Sequence, residues 1–341
     1  KTEITGRATF FLLPFPNSGI TEAIVPLYPI QSDARMFLPL ALFAIGLILL
    51  VKGADFAVRG AESLAVKIGV SPTTIGLTVV AFGTSLPELV VSTEAFRRGD
   101  YAIGTGNVVG SNIVNIGLIL ALALFIMPAA CSTAESRSRL LINTVLTLGA
   151  ASVFAIVSLR GYFDFITGIV FLLIFSGMLF LMWKPVPVAN PPDTSHSRHP
   201  VLLTLAGLAM VILGAHLLLK GAVDIAEMLS VPPAVIGLSM VAVGTSLPEL
   251  ATSFVAAMKR SPGIAVGNVL GSNIFNLLFI IGINSLFFTI PAPAQIDTIV
   301  MIGFSLAVFP FFIRSTLITR IWSGVLLGAY TLYILFLFGL L

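Results

Sequence analysis

An internal duplication is the feature that most constrains the fold of this chain. Residues 59–115 align without a gap with residues 220–276 at a constant offset of 161 positions, and 28 of the 57 pairs are identical. The identities include Gly, Pro, Asn and Glu in register, which unrelated apolar segments do not share by chance. The chain therefore contains two copies of one structural unit.

Composition places both copies in a lipid bilayer. Hydrophobic residues make up 57% of the 341 residues and charged residues only 10%, whereas soluble domains carry about 25% charged residues. Apolar stretches of about 20 residues, the length that crosses a bilayer, recur along the chain. The net charge is only +3, and the scattered basic residues do not form a nucleic-acid footprint. These features predict an all-α polytopic membrane protein.

The apolar pattern predicts ten transmembrane helices from Met36 onward. A polar loop, residues 185–199, separates a first five-helix unit, 36–184, from a second one, 200–341, and we expect this loop to be cytoplasmic. The ten helices are expected at about 36–66, 72–97, 102–127, 139–159, 163–183, 200–228, 233–259, 264–290, 296–313 and 318–340.

Residues 1–35 do not fit this pattern. Pro14, Pro16, Pro26 and Pro29 interrupt their apolar stretch, at a density that a spanning helix rarely tolerates. We interpret them as a disordered or non-native leader that precedes a natural start at Met36.

The odd number of helices in each unit determines the relative orientation of the units. With five spans each, the second unit must be inverted relative to the first, as in many secondary transporters, whose site lies near the midplane between the repeats. Eleven of the 18 Lys and Arg residues fall on one set of connections, four on the other and three in the leader. The positive-inside rule then places the N-terminus outside, in a plasma (inner) membrane.

The second helix of each unit carries the same run, Gly-Thr-Ser-Leu-Pro-Glu, at residues 83–88 and 244–249. A carboxylate at the bilayer centre costs about 2.5 kcal/mol or more unless it is compensated. No Lys or Arg lies at the same depth in the membrane. The expected partner of Glu88 and Glu249 is therefore a cation that binds reversibly. Pro87 and Pro248 should break these helices, numbers 2 and 7, and free carbonyl oxygens at the break. Hydroxyl, carbonyl and carboxylate oxygens suit calcium and sodium.

The third helix of each unit repeats Gly-Asn-Val-x-Gly-Ser-Asn-Ile-x-Asn, at residues 106–115 and 267–276. Ser111 and Asn115 are four residues apart and share a helix face, as do Ser272 and Asn276. The paired glycines allow another helix to approach closely. We interpret the other asparagines of these runs as structural: Asn107, Asn112, Asn268 and Asn273.

These paired motifs resemble the alpha repeats of the sodium/calcium exchanger branch of the cation/calcium antiporter superfamily. The resemblance extends from Met36 to the C-terminus and implies a central calcium site of Glu88, Asn115, Glu249 and Asn276. It implies additional sodium ligands in the hydroxyls of Thr84, Ser85, Ser111, Thr245, Ser246 and Ser272 and in the carbonyl oxygens of Ala81 and Ala242. Some relatives, including the potassium-dependent branch, carry Asp where this chain has Asn276, which argues against potassium dependence.

The expected function is exchange of sodium for calcium by alternating access, without a cofactor, by a chain that is not an enzyme. The expected partners are the two ions and the lipid bilayer, with no nucleic acid, and nothing requires more than a monomer. A calcium/proton exchanger of the same superfamily is the main alternative, because both carboxylates could carry protons. A cation channel would share the acids but would not need inverted repeats.

Overall fold

The computed structural model describes residues 33–131, 134–183, 197–229, 244–313 and 315–337. Within these ranges eight helices are long and apolar enough to cross a membrane, and a ninth span is formed by a bent pair of helices. The chain is therefore an integral membrane protein with an all-helical architecture, to which one antiparallel pair of two-residue strands is added.

Several spans are divided by short π-helical or 3-10 turns. The α-helices are α1 (Asp33–Ile68), α2 (Pro72–Ile75), α3 (Ala81–Thr84), α4 (Leu86–Arg98), α5 (Tyr101–Val114), α6 (Ala121–Ile126), α7 (Ala134–Ser158), α8 (Phe165–Met182), α9 (Pro200–Met228), α10 (Leu247–Met258), α11 (Pro262–Ile274), α12 (Ile281–Ser285), α13 (Gln295–Leu306) and α14 (Thr316–Leu337). The π-helical turns are Gly76–Val80, Asn115–Leu120 and Phe275–Ile280; the 3-10 turns are Pro128–Cys131 and Phe309–Phe312; the strands are β1 (Tyr162–Phe163) and β2 (Ile290–Pro291).

The predicted spans agree with these elements, with differences at some ends. The first helix begins at Asp33 rather than at Met36. Residues 1–32 lie outside the described residues, so the interpretation of 1–35 as a leader remains a prediction. The predicted span 233–259 is described only from residue 244 onward, so ten helices in two inverted units remain a prediction.

The predicted helices 163–183 and 264–290 extend too far at one end each. Gly161 adopts φ +86, and Asp164 caps α8 by accepting the Thr167 N–H at 3.0 Å. This bond and the Thr167 hydroxyl hold the pKa of the Asp164 carboxyl below its ordinary value. Residues 162–163, which lie between Gly161 and the cap Asp164, are extended and form β1, and β1 pairs with β2.

The two spans that carry the repeated Asn-rich run form the centre of the molecule. In the most apolar window of the span Pro262–Ser285, 94% of residues are buried, and in Tyr101–Ile126 the share is 72%, against 17–39% in the other long spans. Small residues make this possible. A Cβ added to Gly271 would lie 2.3 Å from the Leu77 carbonyl oxygen, so the α11 backbone contacts the span that leads to Glu88.

The long helices α1 and α9 pack against each other as an antiparallel pair in backbone contact. A Cβ on Gly46 would lie 2.3 Å from the Leu218 nitrogen, and one on Gly207 would lie 2.3 Å from the Ala57 nitrogen. Glycines seven residues apart line the contact on both helices: Gly46, Gly53, Gly60, Gly207, Gly214 and Gly221. The two sets are related by the 161-residue offset of the duplication, so each repeat contributes one half of a symmetric glycine seam.

One ion pair joins this helix pair to the rest of the molecule. Asp55 of α1 bonds Arg59 one turn away and also accepts from Lys259 at 2.5 Å. Lys259 directly follows Met258, the last residue of α10. The sequence did not indicate this second partner, because it is distant along the chain.

We expect Gly207→Ala to destabilise the protein. The new methyl group would meet the α1 backbone, and overpacking of this kind costs about 1–3 kcal/mol. Thermal unfolding in detergent, followed by circular dichroism, measures the effect. Gly177→Ala is the matched control, because among the described atoms none lies within 4 Å of a Cβ at that α8 glycine. Equal melting temperatures for the two variants would contradict close packing of α1 on α9.

Candidate cation-binding site

The two glutamates lie at the start of helices that follow a break. The segments Pro72–Thr84 and Leu86–Arg98 are bent by 44°, with Ser85 at the joint. Ser85 has φ −87 and ψ 9, and Ser246 has φ −84 and ψ 5. Since Pro cannot donate a backbone hydrogen bond but fits the first turn of a helix, Leu-Pro restarts the helix in both repeats. Glu88 and Glu249 thus lie in first turns, where the helix dipole favours negative charge.

Serine hydroxyls connect each repeat to the glutamate of the other. The Ser85 hydroxyl donates to Glu249 Oε1 at 2.6 Å, and the Ser246 hydroxyl donates to Glu88 Oε1 at 3.3 Å. Ser272 donates to the same Glu249 oxygen at 3.4 Å. Both carboxylates have 0% exposure. The two helix breaks therefore face each other, and each carboxylate lies between residues of both repeats.

Threonine and asparagine side chains form a second set of bonds between the repeats. The Thr84 hydroxyl donates to Asn268 Oδ1 at 3.0 Å, and the Thr245 hydroxyl donates to Asn107 Oδ1 at 3.1 Å. These paired bonds join the α3–α4 break to α11 and the Gly244–Leu247 segment to α5. They hold the two repeats in register around the glutamates.

The amide groups of these asparagines also secure the glutamate helices. Asn107 Nδ2 donates to the Ser92 hydroxyl at 2.9 Å and to the Glu88 carbonyl at 3.3 Å. Asn268 Nδ2 donates to the Ser253 hydroxyl at 3.0 Å and to the Glu249 carbonyl at 3.4 Å. These contacts agree with the structural role expected for both asparagines. Sequence reasoning missed Ser92 and Ser253, although their identity in the two repeats was a usable signal.

Four buried oxygens of the predicted calcium ligands have no hydrogen-bond partner among the described residues: Glu88 Oε2, Glu249 Oε2, Asn115 Oδ1 and Asn276 Oδ1. A buried polar atom without a partner costs about 1–3 kcal/mol, and a charged one costs more. Four such oxygens are acceptors only, and carboxylate and amide oxygens are ligands that calcium and sodium prefer. The donor set fits a hard cation.

Softer metals fit this centre less well. Among the described residues no three His, Cys, Asp or Glu side chains lie close enough to hold a metal ion together. A cation here would therefore take most of its ligands from uncharged amide, hydroxyl and carbonyl oxygens. Such ligands favour alkali and alkaline-earth ions over zinc or copper.

The two asparagines that are predicted ligands lie in π-helical turns. Asn115 begins the turn Asn115–Leu120, and Asn276 is the second residue of the turn Phe275–Ile280. π-helical turns are rare and concentrate at functional sites. Their equivalent places in the two repeats indicate that the altered helix is part of the site. Apolar periodicity did not reveal them, because one extra residue in a turn barely changes an almost uniformly apolar pattern.

The structure buries every predicted ligand side chain that it describes. All of the following are buried: Glu88, Asn115, Glu249, Asn276, Thr84, Ser85, Ser111, Thr245, Ser246 and Ser272. The Ala81 carbonyl already accepts the Ser85 N–H at 3.0 Å and the Thr84 hydroxyl at 3.3 Å, so Pro87 does not free it. Ala242 lies outside the described residues. The ligand roles themselves remain proposals.

Fold and site together define a polytopic membrane protein with a buried centre suited to hard cations. The sequence profile of the family described as sodium/calcium exchanger protein matches residues 38–184 and 199–339. The chain belongs to this family, in the cation/calcium antiporter superfamily, and is therefore a transporter and not an enzyme.

Individual relatives resemble the chain over most of its length. An uncharacterised membrane protein of Methanocaldococcus jannaschii is 35% identical, with coverage of 88% of this chain and 97% of that protein. The sodium/calcium exchanger MaX1 of Methanosarcina acetivorans is 31% identical, with coverage of 86% and 95%. The solved structure of the sodium–calcium exchanger NCX_Mj soaked with 2.5 mM Na+ and 0.1 mM Ca2+ has a TM-score of 0.74 at 34% identity and covers 87% of this chain and 97% of that chain.

We expect Asn268→Leu to destabilise the protein strongly. Leu has a similar volume but leaves the Thr84 and Ser253 hydroxyls without this partner, and each unpaired buried group costs about 1–3 kcal/mol. Asn284→Leu is the control, because the buried Asn284 side chain donates within its own span, to the Ile280 carbonyl. Thermal unfolding should show the larger loss for Asn268→Leu; an equal or smaller loss would mean that the bond between repeats adds no stability.

Proposed function

We propose that this protein exchanges sodium for calcium across the membrane by alternating access. The observation that carries the proposal is the set of four buried, unpartnered oxygens contributed symmetrically by both repeats. Glu88 and Asn115 come from the first repeat, and Glu249 and Asn276 from the second. A site shared in this way between repeats is the arrangement from which secondary transporters bind ions near the midplane.

Charge balance explains why such a site exchanges ions instead of leaking them. Two carboxylates are neutralised by one calcium ion or by two sodium ions, so the two loads compete for the same charge. An empty centre with two bare carboxylates would cross the apolar barrier at a high cost. Only a loaded site moves, and the movement of one ion therefore depends on the counter-movement of the other.

The hydroxyl groups support sodium as the counter-ion. Ser85 and Ser246 already contact the carboxylates, and Thr84 and Ser111 lie beside them. A hydroxyl that donates to a carboxylate still has lone pairs with which to coordinate a cation. A proton carried on a glutamate would need none of these ligands. The exchanger names of MaX1 and NCX_Mj agree with this assignment.

Alternating access requires an element that covers the site from one side at a time, and the α1–α9 pair has the right position. A Cβ on Gly83 would lie 2.5 Å from Leu208 Cδ1, and one on Gly244 would lie 2.8 Å from Leu219 Cδ2. One helix, α9, thus packs against both helix breaks. We infer that the pair slides past a core formed by the other helices.

The proposed topology has two inverted five-helix units, 36–184 and 200–341, a cytoplasmic loop, 185–199, and an outside N-terminus in an inner membrane. The Asp55–Lys259 ion pair and the bond between Ser197 N–H and the Ser63 hydroxyl join segments that this topology assigns to the cytoplasmic side. The β1–β2 pair joins two segments that it assigns to the other side. A monomer suffices, since both repeats are in one chain.

We expect Glu88→Gln and Glu249→Gln each to abolish calcium exchange, with a loss of at least 100-fold. Each change removes one of the two charges that balance calcium but keeps the shape of the side chain. Calcium-45 uptake by sodium-loaded proteoliposomes is the measurement. Glu94→Gln is the control, because the exposed Glu94 pairs only with Arg97 and Arg98 of its own helix. Undiminished uptake in either of the first two variants would refute the ligand assignment.

The coupling ion is tested with the wild-type protein. We expect an outward sodium gradient to drive calcium-45 uptake, and an equal potassium gradient or a pH gradient not to do so. Uptake driven by the pH gradient alone would replace sodium with protons, and uptake without any opposing gradient would indicate a channel.

Thr84→Val removes a hydroxyl at similar volume and should raise the sodium concentration needed for half-maximal exchange. The control is Thr78→Val, because the Thr78 hydroxyl donates within its own span, to the Thr74 carbonyl. This control should leave the half-maximal sodium concentration unchanged.

A further inference from the structure

One bond between the repeats ties a proposed ligand to a residue that is not a ligand. Asn115 Nδ2 donates to Asn273 Oδ1 at 2.9 Å, from the α5 span to α11, and both side chains are 1% exposed. The two ends of an amide have nearly the same shape, so a partner is needed to define which end faces a cation. Because Asn273 binds the NH2 group, Asn115 is left with its oxygen free for a cation.

The duplication predicts an equivalent bond on the other side. With the offset of 161, Asn273 corresponds to Asn112, and Asn115 corresponds to Asn276. The equivalent bond would run from Asn276 Nδ2 to Asn112 Oδ1. Both of these atoms are buried, and neither has a partner among the described residues. A donor and an acceptor that complement each other are thus unpaired at symmetry-related positions.

The amide nitrogens of the two non-ligand asparagines also have partners. Asn112 Nδ2 donates to the Val108 carbonyl at 2.7 Å, and Asn273 Nδ2 donates to the Asn112 carbonyl at 3.4 Å. Their amide groups are therefore engaged with the backbone. Each side chain has only its oxygen left, and that oxygen can accept a bond from a ligand amide.

We propose that Asn112 and Asn273 are positioning residues that turn the amide oxygens of Asn276 and Asn115 toward the cation. The Asn273–Asn115 bond is present in the structure, and binding of an ion brings the equivalent Asn112–Asn276 bond with it. A cation on Asn276 Oδ1 polarises the amide and makes its N–H a stronger donor. This inference rests on the proposed cation site and gives a reason for Asn at position 276: a carboxylate there has no N–H for Asn112.

Double-mutant cycles for calcium affinity test this pairing, because residues that act through one bond are not additive. The Kd for calcium is measured on purified protein in detergent with calcium-45. We expect Asn273→Ala and Asn112→Ala each to weaken binding about tenfold, as the loss of a residue that orients a metal ligand typically does. Adding Asn273→Ala to Asn115→Ala, or Asn112→Ala to Asn276→Ala, should cause little further loss. In the crossed combinations, Asn115 with Asn112 and Asn276 with Asn273, the losses should multiply.

Several outcomes would overturn the inference. Multiplied losses within the proposed pairs, or a lowered melting temperature with unchanged Kd, would show that these asparagines only support the fold. Asn284→Ala is the control for loss of a buried amide outside the site. If the alanine variants do not fold, Asn112→Leu and Asn273→Leu fill the same space without the acceptor and enter the same cycles. Failure of the wild-type protein to bind calcium would refute the proposed function itself, whereas normal wild-type binding with multiplied losses would refute only this pairing.

Discussion

Two carboxylates without fixed counter-charges, buried where a membrane protein has no water, are the constraint on which the rest of this structure depends. Glu88 and Glu249 have 0% exposure, and within the described chain no Lys or Arg forms an ion pair with either of them. Each glutamate is instead surrounded by weak dipoles: a helix N-terminus and serine hydroxyls from the opposite repeat. Such dipoles lower the cost of the charge without neutralising it. This incomplete neutralisation is the reason why we propose that the centre binds a mobile cation.

The polar network of the site and the apolar packing around it follow the same symmetry. Ser85 and Ser246 bond across the repeats, Thr84 and Thr245 do the same, and the glycine seam of α1 and α9 is built from both halves. The symmetry is broken at one contact between the α1–α9 pair, which we propose to move, and the rest of the molecule. The Asp55–Lys259 pair has no equivalent in the other repeat, where Asp55 is replaced by His216 and Arg98 bonds Glu94 in its own helix.

The sequence alone was sufficient for much of this architecture. The placement of the described apolar spans, the break at Leu-Pro and the burial of the glutamates follow from local rules, since they depend on hydrophobic length and on the missing N–H of proline. The ends of helices were less accurate. The turn at Gly161 and the Asp164 cap depend on a backbone conformation and on hydrogen bonds that an apolar pattern does not record.

Duplication guided the prediction of the site, because residues retained at equivalent positions indicated the carboxylate, amide and hydroxyl groups together. Only the tertiary structure decided which groups pair. Asn107 and Asn115 belong to the same sequence run. The Asn107 side chain bonds the Glu88 carbonyl and the Thr245 hydroxyl, whereas the Asn115 side-chain oxygen has no partner among the described residues. The sequence determined the chemistry of the centre, since residue types are local. The partners were decided by the packing of the two repeats, because the bonds that join the repeats connect residues more than 130 positions apart in the chain.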